Sequence, residues 1–165
     1  MEKGPEHRYV PRERTVEDLD IDRYMGQWYE IARFDHRFER GMDNVTTQYE
    51  RTGENRVKVT NSGFRNGKRH LAHGKARIPD LKHPGKLEVS FFLWFYADYY
   101  VMKLGEDYSY ALVGSSSDKY LWILARTPYL PQKTLEHLLA CARERGYDTS
   151  KLIWVEQQSD GGQAL

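Results

Sequence analysis

Gly26-Gln27-Trp28-Tyr29-Glu30-Ile31-Ala32-Arg33 is the stretch on which the fold turns. A glycine opens it, two large aromatics follow, and one carboxylate stands among apolar residues. It reads as the first strand of a sheet that must close around something. At the two-residue period of a strand, Trp28, Glu30, Ala32 and Phe34 share one face, which mixes bulk with charge.

The chain on either side supplies a wall for that strand. Residues 1–15 are polar, rich in Arg and Glu and interrupted by Pro5 and Pro11, and read as a flexible arm. Asp22 is the expected cap of a short helical turn running into Gly26. After the polar loop His36–Asp43, segments of period two follow at 44–51, 56–61, 70–78, 87–91, 99–104, 108–114 and 119–126, joined by turn signals such as Gly53-Glu54-Asn55, Asn66-Gly67 and Gly105-Glu106-Asp107. About eight strands at this spacing predict an all-β barrel or sandwich. The period then changes. Pro131 opens a helix whose Leu135, Leu138, Leu139 and Ala142 form one stripe, and Gly146 ends it. Leu152–Val155 is a last short strand and 158–165 a flexible tail. At 165 residues the chain is expected to be one domain, spanning 16–157.

Composition excludes several classes. The net charge is +1, so no strong field points to nucleic acid. The single cysteine, Cys141, forbids an internal disulfide. No apolar run is long enough for a membrane-spanning helix. Met1–Arg8 holds neither the apolar core of a secretion signal nor a cysteine for lipid attachment. The residues alone therefore predict a cytoplasmic protein if Met1 is the native start.

Alternation assigns the inward face. It would carry Trp28, Glu30, Ala32 and Phe34; Thr47 and Tyr49; Val57, Val59 and Asn61; Ala72 and Ala76; Leu87, Val89 and Phe91; Tyr100, Met102 and Leu104; Tyr110, Leu112 and Gly114; and Tyr120, Trp122 and Leu124. Very small residues face large amphipathic ones, with polar points at Glu30, Asn61 and the tyrosines. An eight-stranded barrel can enclose one small ligand, and this mixture describes such a pocket; a filled core with tyrosines at its rim is the alternative.

Gly26-x-Trp28-Tyr29, Asp107–Val113 and Leu121–Pro128 with Arg126 resemble, in order, the three signatures of the lipocalins. Trp28–Gly41 looks more closely like the bacterial members of outer-membrane lipoprotein type, relatives of apolipoprotein D and of plant temperature-induced lipocalins. The resemblance covers 16–157. It implies an up-and-down barrel of eight antiparallel strands with one late helix outside, and a cavity for a fatty acid or lysophospholipid serving membrane maintenance or a stress response. It also implies an outer-membrane or periplasmic location, contact with a membrane surface and a homodimer as partners to look for. The cavity would take Glu30, Ala32, Phe34, Tyr49, Val59, Asn61, Ala72, Val89, Phe91, Tyr100, Met102, Tyr110, Leu112, Tyr120, Trp122 and Leu124. Gly26, Trp28 and Arg126 would form a structural closed end, the guanidinium lying over the indole. No cofactor and no metal are expected: His70 and His73 are three apart on a strand and point to opposite faces. Glu30 is the one inward carboxylate in this reading, too little for catalysis. A pigment carrier, with a Tyr or His at the mouth, and an isomerase-type enzyme are the alternatives. Arg37, Arg40 and Lys82 are expected in loops that could ring the mouth. Phe92–Tyr96 could line it, touch a membrane or bury against a partner.

Overall fold

The structure, a computed structural model, describes residues 9–92 and 95–158. A short helix, α1 (Ile21–Tyr24), leads into β1 (Gly26–Phe34), β2 (Asp43–Gly53), β3 (Arg56–Arg65), β4 (Lys68–Arg77), β5 (Lys86–Phe92), β6 (Phe95–Leu104), β7 (Tyr110–Gly114) and β8 (Leu121–Ala125). The helix α2 (Gln132–Glu144) and the strand β9 (Leu152–Trp154) complete the chain. From β1 to β8 each strand pairs antiparallel with the next, and β1 also pairs with β8, which closes the eight-stranded barrel, while β9 adds to β1. Closure removes the free edges that an open sheet would expose.

β1 changes partner halfway along. Gly26–Tyr29 pair with β2, whereas Ala32–Phe34 pair with β9. Gln157 spans the divergence, its side-chain amide donating to the carbonyls of Glu30 (2.8 Å) and Val45 (2.9 Å). The connection 35–42 enters the barrel mouth beside this gap.

Two apolar clusters share the barrel wall. One lies between the wall and α2, around Leu112, Leu121, Ile123, Leu138, Ala142 and Tyr147. The other fills the barrel interior around Trp28, Tyr49, Val57, Val59, Val101, Val113 and Leu124. The strands β7 and β8 are therefore buried on both faces and read as continuous apolar runs.

Two local expectations change. The cap of α1 is Asp20, whose Oδ1 accepts from the amides of Asp22 and Arg23, rather than Asp22. Residues 9–15 are no loose arm: Val10 donates to the Glu144 carbonyl (2.9 Å), and Arg12 donates to the carbonyls of Arg145 and Ser116. These bonds strap the N-terminal segment across the end of α2.

Gly74 marks where β4 and β5 come closest. They pair through Lys75–Arg77 and Glu88–Ser90. A methyl group at position 74 would stand 2.6 Å from the Ser90 carbonyl oxygen and 2.7 Å from the Phe91 ring. Because one obstacle is backbone, Gly74→Ala should lower unfolding free energy by about 1–3 kcal/mol. A chemical denaturation midpoint equal to that of the unsubstituted protein would show that these strands separate freely.

Candidate functional site

The closed end is sealed where α1 meets β1. Trp28 is fully buried, and its indole N–H donates to the Tyr24 carbonyl (2.8 Å). The Arg126 guanidinium lies 3.9 Å from the Trp28 ring centroid. It also donates to the carbonyls of Gln27 (2.9 Å), Arg23 (2.6 Å) and Tyr108 (3.2 Å). Gly26, at φ +98, supplies the left-handed backbone of this corner, and a side chain there would crowd the guanidinium.

Above the seal the floor is packed solid. Tyr24, Tyr49 and Tyr99 bring their hydroxyls together at 2.8 and 2.7 Å. Burial pushes all three phenols above their ordinary range. The space left among them, Val57, Ala76, Leu87 and Val89 is about 10 Å³, enough for one water.

Higher on the wall the interior opens. Asn61 and Gly74 are half-buried and Ala72 and Phe91 exposed, although they continue the faces of Val59, Ala76 and Val89. The Thr47 hydroxyl donates to the Asn61 side-chain oxygen (2.8 Å). Opposite them, Trp122 is half-buried and stacks on Tyr120 at 5.9 Å. Here the cup also holds charge. Arg33, 2% exposed, donates to Glu30 (3.2 Å), to the carbonyls of Glu39 (2.7 Å) and Met42 (3.4 Å), and to Asp35 (3.5 Å). Glu39, from the loop after β1, is itself buried. One of its oxygens takes His36 Nε2 at 2.7 Å and the Trp122 indole N–H at 3.4 Å.

The two carboxyls titrate in opposite directions. Burial, then repulsion from Glu39 and a hydrogen bond shared with it, pushes Glu30 well up despite Arg33. Burial would raise Glu39 as well. The hydrogen bonds from His36 and Glu30 and the charges of His36 and Arg33 outweigh it and hold Glu39 below the usual carboxylate range. Within the pair, Glu30 therefore holds a proton more tightly than Glu39 does.

The sixteen residues assigned to the cavity from the sequence separate into three groups. Glu30, Asn61, Ala72, Phe91, Tyr120 and Trp122 lie around the open upper cup. Tyr49, Val59, Val89 and Leu124 belong to the packed floor. Ala32, Phe34, Tyr100, Met102, Tyr110 and Leu112 do not face inward: they pack outside the barrel against the cluster beneath α2. Two β-bulges cause most of this reversal. Ile31 is an extra residue between Glu30 and Ala32, so Arg33 turns inward while Ala32 and Phe34 turn out. Met102 is the extra residue between Val101 and Lys103, leaving Val101 and Leu104 inside. On β7 both faces are apolar, and Ala111 and Val113 are the inward pair, with Gly114 against Tyr147 outside.

Arg33 and Glu39 were missed, and Glu30 is not the one carboxylate inside. Strict alternation hid Arg33, and a loop position concealed Glu39. Arg37 and Arg40 are exposed on that loop, Arg40 pairing with Asp35 (3.2 Å) and Arg37 lying 5.1 Å from the Phe38 ring centroid. Lys82 is exposed in the connection at the opposite, closed end. Of Phe92–Tyr96, residues 93 and 94 fall outside the described residues, while Tyr96 carries Arg77 3.8 Å from its ring centroid.

Comparison with known proteins places this architecture. Residues 19–157 match the model of a lipocalin-like domain. The outer membrane lipoprotein Blc of Vibrio cholerae is 41% identical over 148 residues, 88% of this chain and 86% of that protein. Rat apolipoprotein D is 34% identical over 157 residues, covering 89% of this chain and 82% of its own. The solved structure of insecticyanin from the tobacco hornworm superposes with a TM-score of 0.73 at 24% identity, covering 94% of this chain and 89% of that one. With its closed antiparallel barrel, its Trp28–Arg126 seal and its helix outside, the chain belongs to the lipocalin family.

Proposed function

We propose that the protein binds and carries a small hydrophobic ligand, a single-chain lipid of the fatty acid or lysophospholipid type, in membrane maintenance or stress response. The observation that carries this reading is the polarity gradient within one barrel. Above the packed floor stands an open upper cup with small and aromatic walls along which an apolar chain can lie, and one charged cluster stands at its side. Such a gradient suits a molecule with a long apolar part and one polar end. It suits a carrier better than an enzyme, because Glu30 and Glu39 are committed to each other and to Arg33 and His36. Exposed Phe38, Phe64 and Leu71, beside Arg37, Arg40 and Lys68, give the mouth region a mixed apolar and basic surface that supports loading from a membrane. The relative named as an outer membrane lipoprotein supports an envelope location.

Titration with palmitate or lysophosphatidylcholine should change the Trp122 emission. Apolar burial is worth about 0.8 kcal/mol per methylene, so shortening the chain by a pair of methylenes should weaken binding roughly tenfold. Unchanged emission together with no calorimetric heat for either lipid would overturn the reading.

A further inference from the structure

The loop after β1 places a carboxylate inside a cup built for an apolar molecule. Glu39 Oε1 is the meeting point of donors from separate segments. His36 Nε2 lies at 2.7 Å, Trp122 Nε1 at 3.4 Å and Arg33 Nε at 3.9 Å. A buried carboxylate needs charge-assisted partners of this kind. As a purely structural arrangement, however, the fit is poor. Arg33 Nε and His36 Nδ1 are buried and have no hydrogen-bond partner among the described residues. The indole bond is long, and Arg33 Nε stands at ion-pair rather than hydrogen-bond distance. Glu39 cannot move closer freely, because its own carbonyl is held by Arg33 Nη2 at 2.7 Å. An untethered oxyanion with several acceptor lone pairs would satisfy donors that Glu39 leaves unmet.

We propose that Arg33, His36 and Trp122 form an oxyanion head-group site, that Glu39 occupies it as an internal stand-in, and that a single-chain lipid with a carboxylate or phosphate head binds by displacing Glu39. The proposal rests on the lipid-carrier reading and names the class of lipid. Its position fits: the cluster stands beside the open wall of Asn61, Ala72 and Phe91 and above a floor with room for one water. The charge balance fits as well. Displacement exchanges one carboxylate for one oxyanion beside Arg33 and His36, and Glu30 is the member of the carboxyl pair that holds a proton more tightly. The loop residues His36–Met42 then act as a cover whose release is selective. A lipid with a neutral head gains nothing by displacing Glu39, whereas an anionic head recovers every donor that Glu39 gives up.

Calorimetry on the full chain tests this with palmitate, its neutral counterpart hexadecanol, and 1-palmitoyl lysophosphatidic acid. Glu39→Gln removes the competing charge and keeps the side-chain shape. It should tighten palmitate binding by at least about tenfold, the order of one hydrogen bond to a charged group, and leave hexadecanol within about twofold. Trp122→Phe deletes one donor and trims the cup wall, so it should weaken palmitate by several-fold more than it weakens hexadecanol. Tightening of palmitate alone assigns a carboxylate head and of the lysophosphatidate alone a phosphate head; tightening of both assigns an oxyanion of either kind. If the lipids bind but Glu39→Gln changes none of them, or tightens the anionic and neutral lipids alike, the head-group site is overturned and the carrier reading stands. If neither the unsubstituted protein nor the variant binds any of the three, the carrier reading fails and the site falls with it.

Discussion

Arg33→Met should destabilise the protein by about 3–5 kcal/mol, the range found when one partner of a buried ion pair is removed. The side chain is 2% exposed, and its guanidinium holds the carboxyl of Glu30 and the carbonyls of Glu39 and Met42 at once. Methionine fills a similar volume, so the loss would come from unpaired polar groups rather than from a cavity. The rescue pattern identifies which carboxyl bears the charge. Because Glu30 is pushed up and Glu39 held down, the charge left stranded in Arg33→Met sits on Glu39. Adding Glu39→Gln should recover at least about 1 kcal/mol, whereas adding Glu30→Gln should recover little. Urea denaturation of Arg33→Met, Glu39→Gln, Glu30→Gln and the two double variants measures both couplings. A loss below about 1 kcal/mol for Arg33→Met would mean that the guanidinium reaches water and the cluster is not buried.

That prediction concerns the part of the molecule that strand periodicity conceals. On β2 and β3 one face meets water, so Thr47, Tyr49, Val57 and Val59 alternate with Gln48, Glu50 and Lys58, and their inward direction can be read from residue types. On β7 the sequence Ala111-Leu112-Val113 is apolar throughout because α2 covers one face and the cup the other. Nothing in the residues separates the two faces. The bulges at Ile31 and Met102 add a second difficulty, since each reverses every side chain beyond it on its strand. Lys103 illustrates the consequence: taken as outward, it places Met102 inside, yet the bulge puts Val101 and Leu104 there together. The closed end is legible for the opposite reason. Trp28 and Arg126 donate to the backbone carbonyls of Tyr24, Gln27 and Arg23 and Gly26 turns the corner between them, so the types of these few residues mark it in the sequence. Glu39 depends on a loop folding inward, a tertiary event without local periodicity.

The seal also carries the other large effect. Trp28→Ala should cost about 3–5 kcal/mol, as expected for truncating a fully buried aromatic. The indole is enclosed by the Tyr24 ring at 4.9 Å and the Arg126 guanidinium at 3.9 Å, and donates to the Tyr24 carbonyl. Alanine would leave a void bordered by a cation and deprive that carbonyl of its donor. Trp28→Phe retains most of the apolar area and should cost only about 1–2 kcal/mol, mainly from the lost hydrogen bond. Arg126→Ala separates the remaining contributions. A cation–π contact alone is worth about 0.5–2 kcal/mol, but this guanidinium also ties the carbonyls of Arg23, Gln27 and Tyr108 together. If those bonds matter more than the ring contact, Arg126→Ala should remain destabilising by nearly its full amount in a Trp28→Leu background, which has no aromatic face for the cation. Thermal and urea melts of the single and double variants decide this. Equal stability of Trp28→Leu and Arg126→Ala/Trp28→Leu would show that the arginine acts through the ring alone. Because the seal lies beneath a solid floor of Tyr24, Tyr49 and Tyr99, these variants should unfold at lower denaturant and yet, while folded, bind lipid as tightly as the unsubstituted protein.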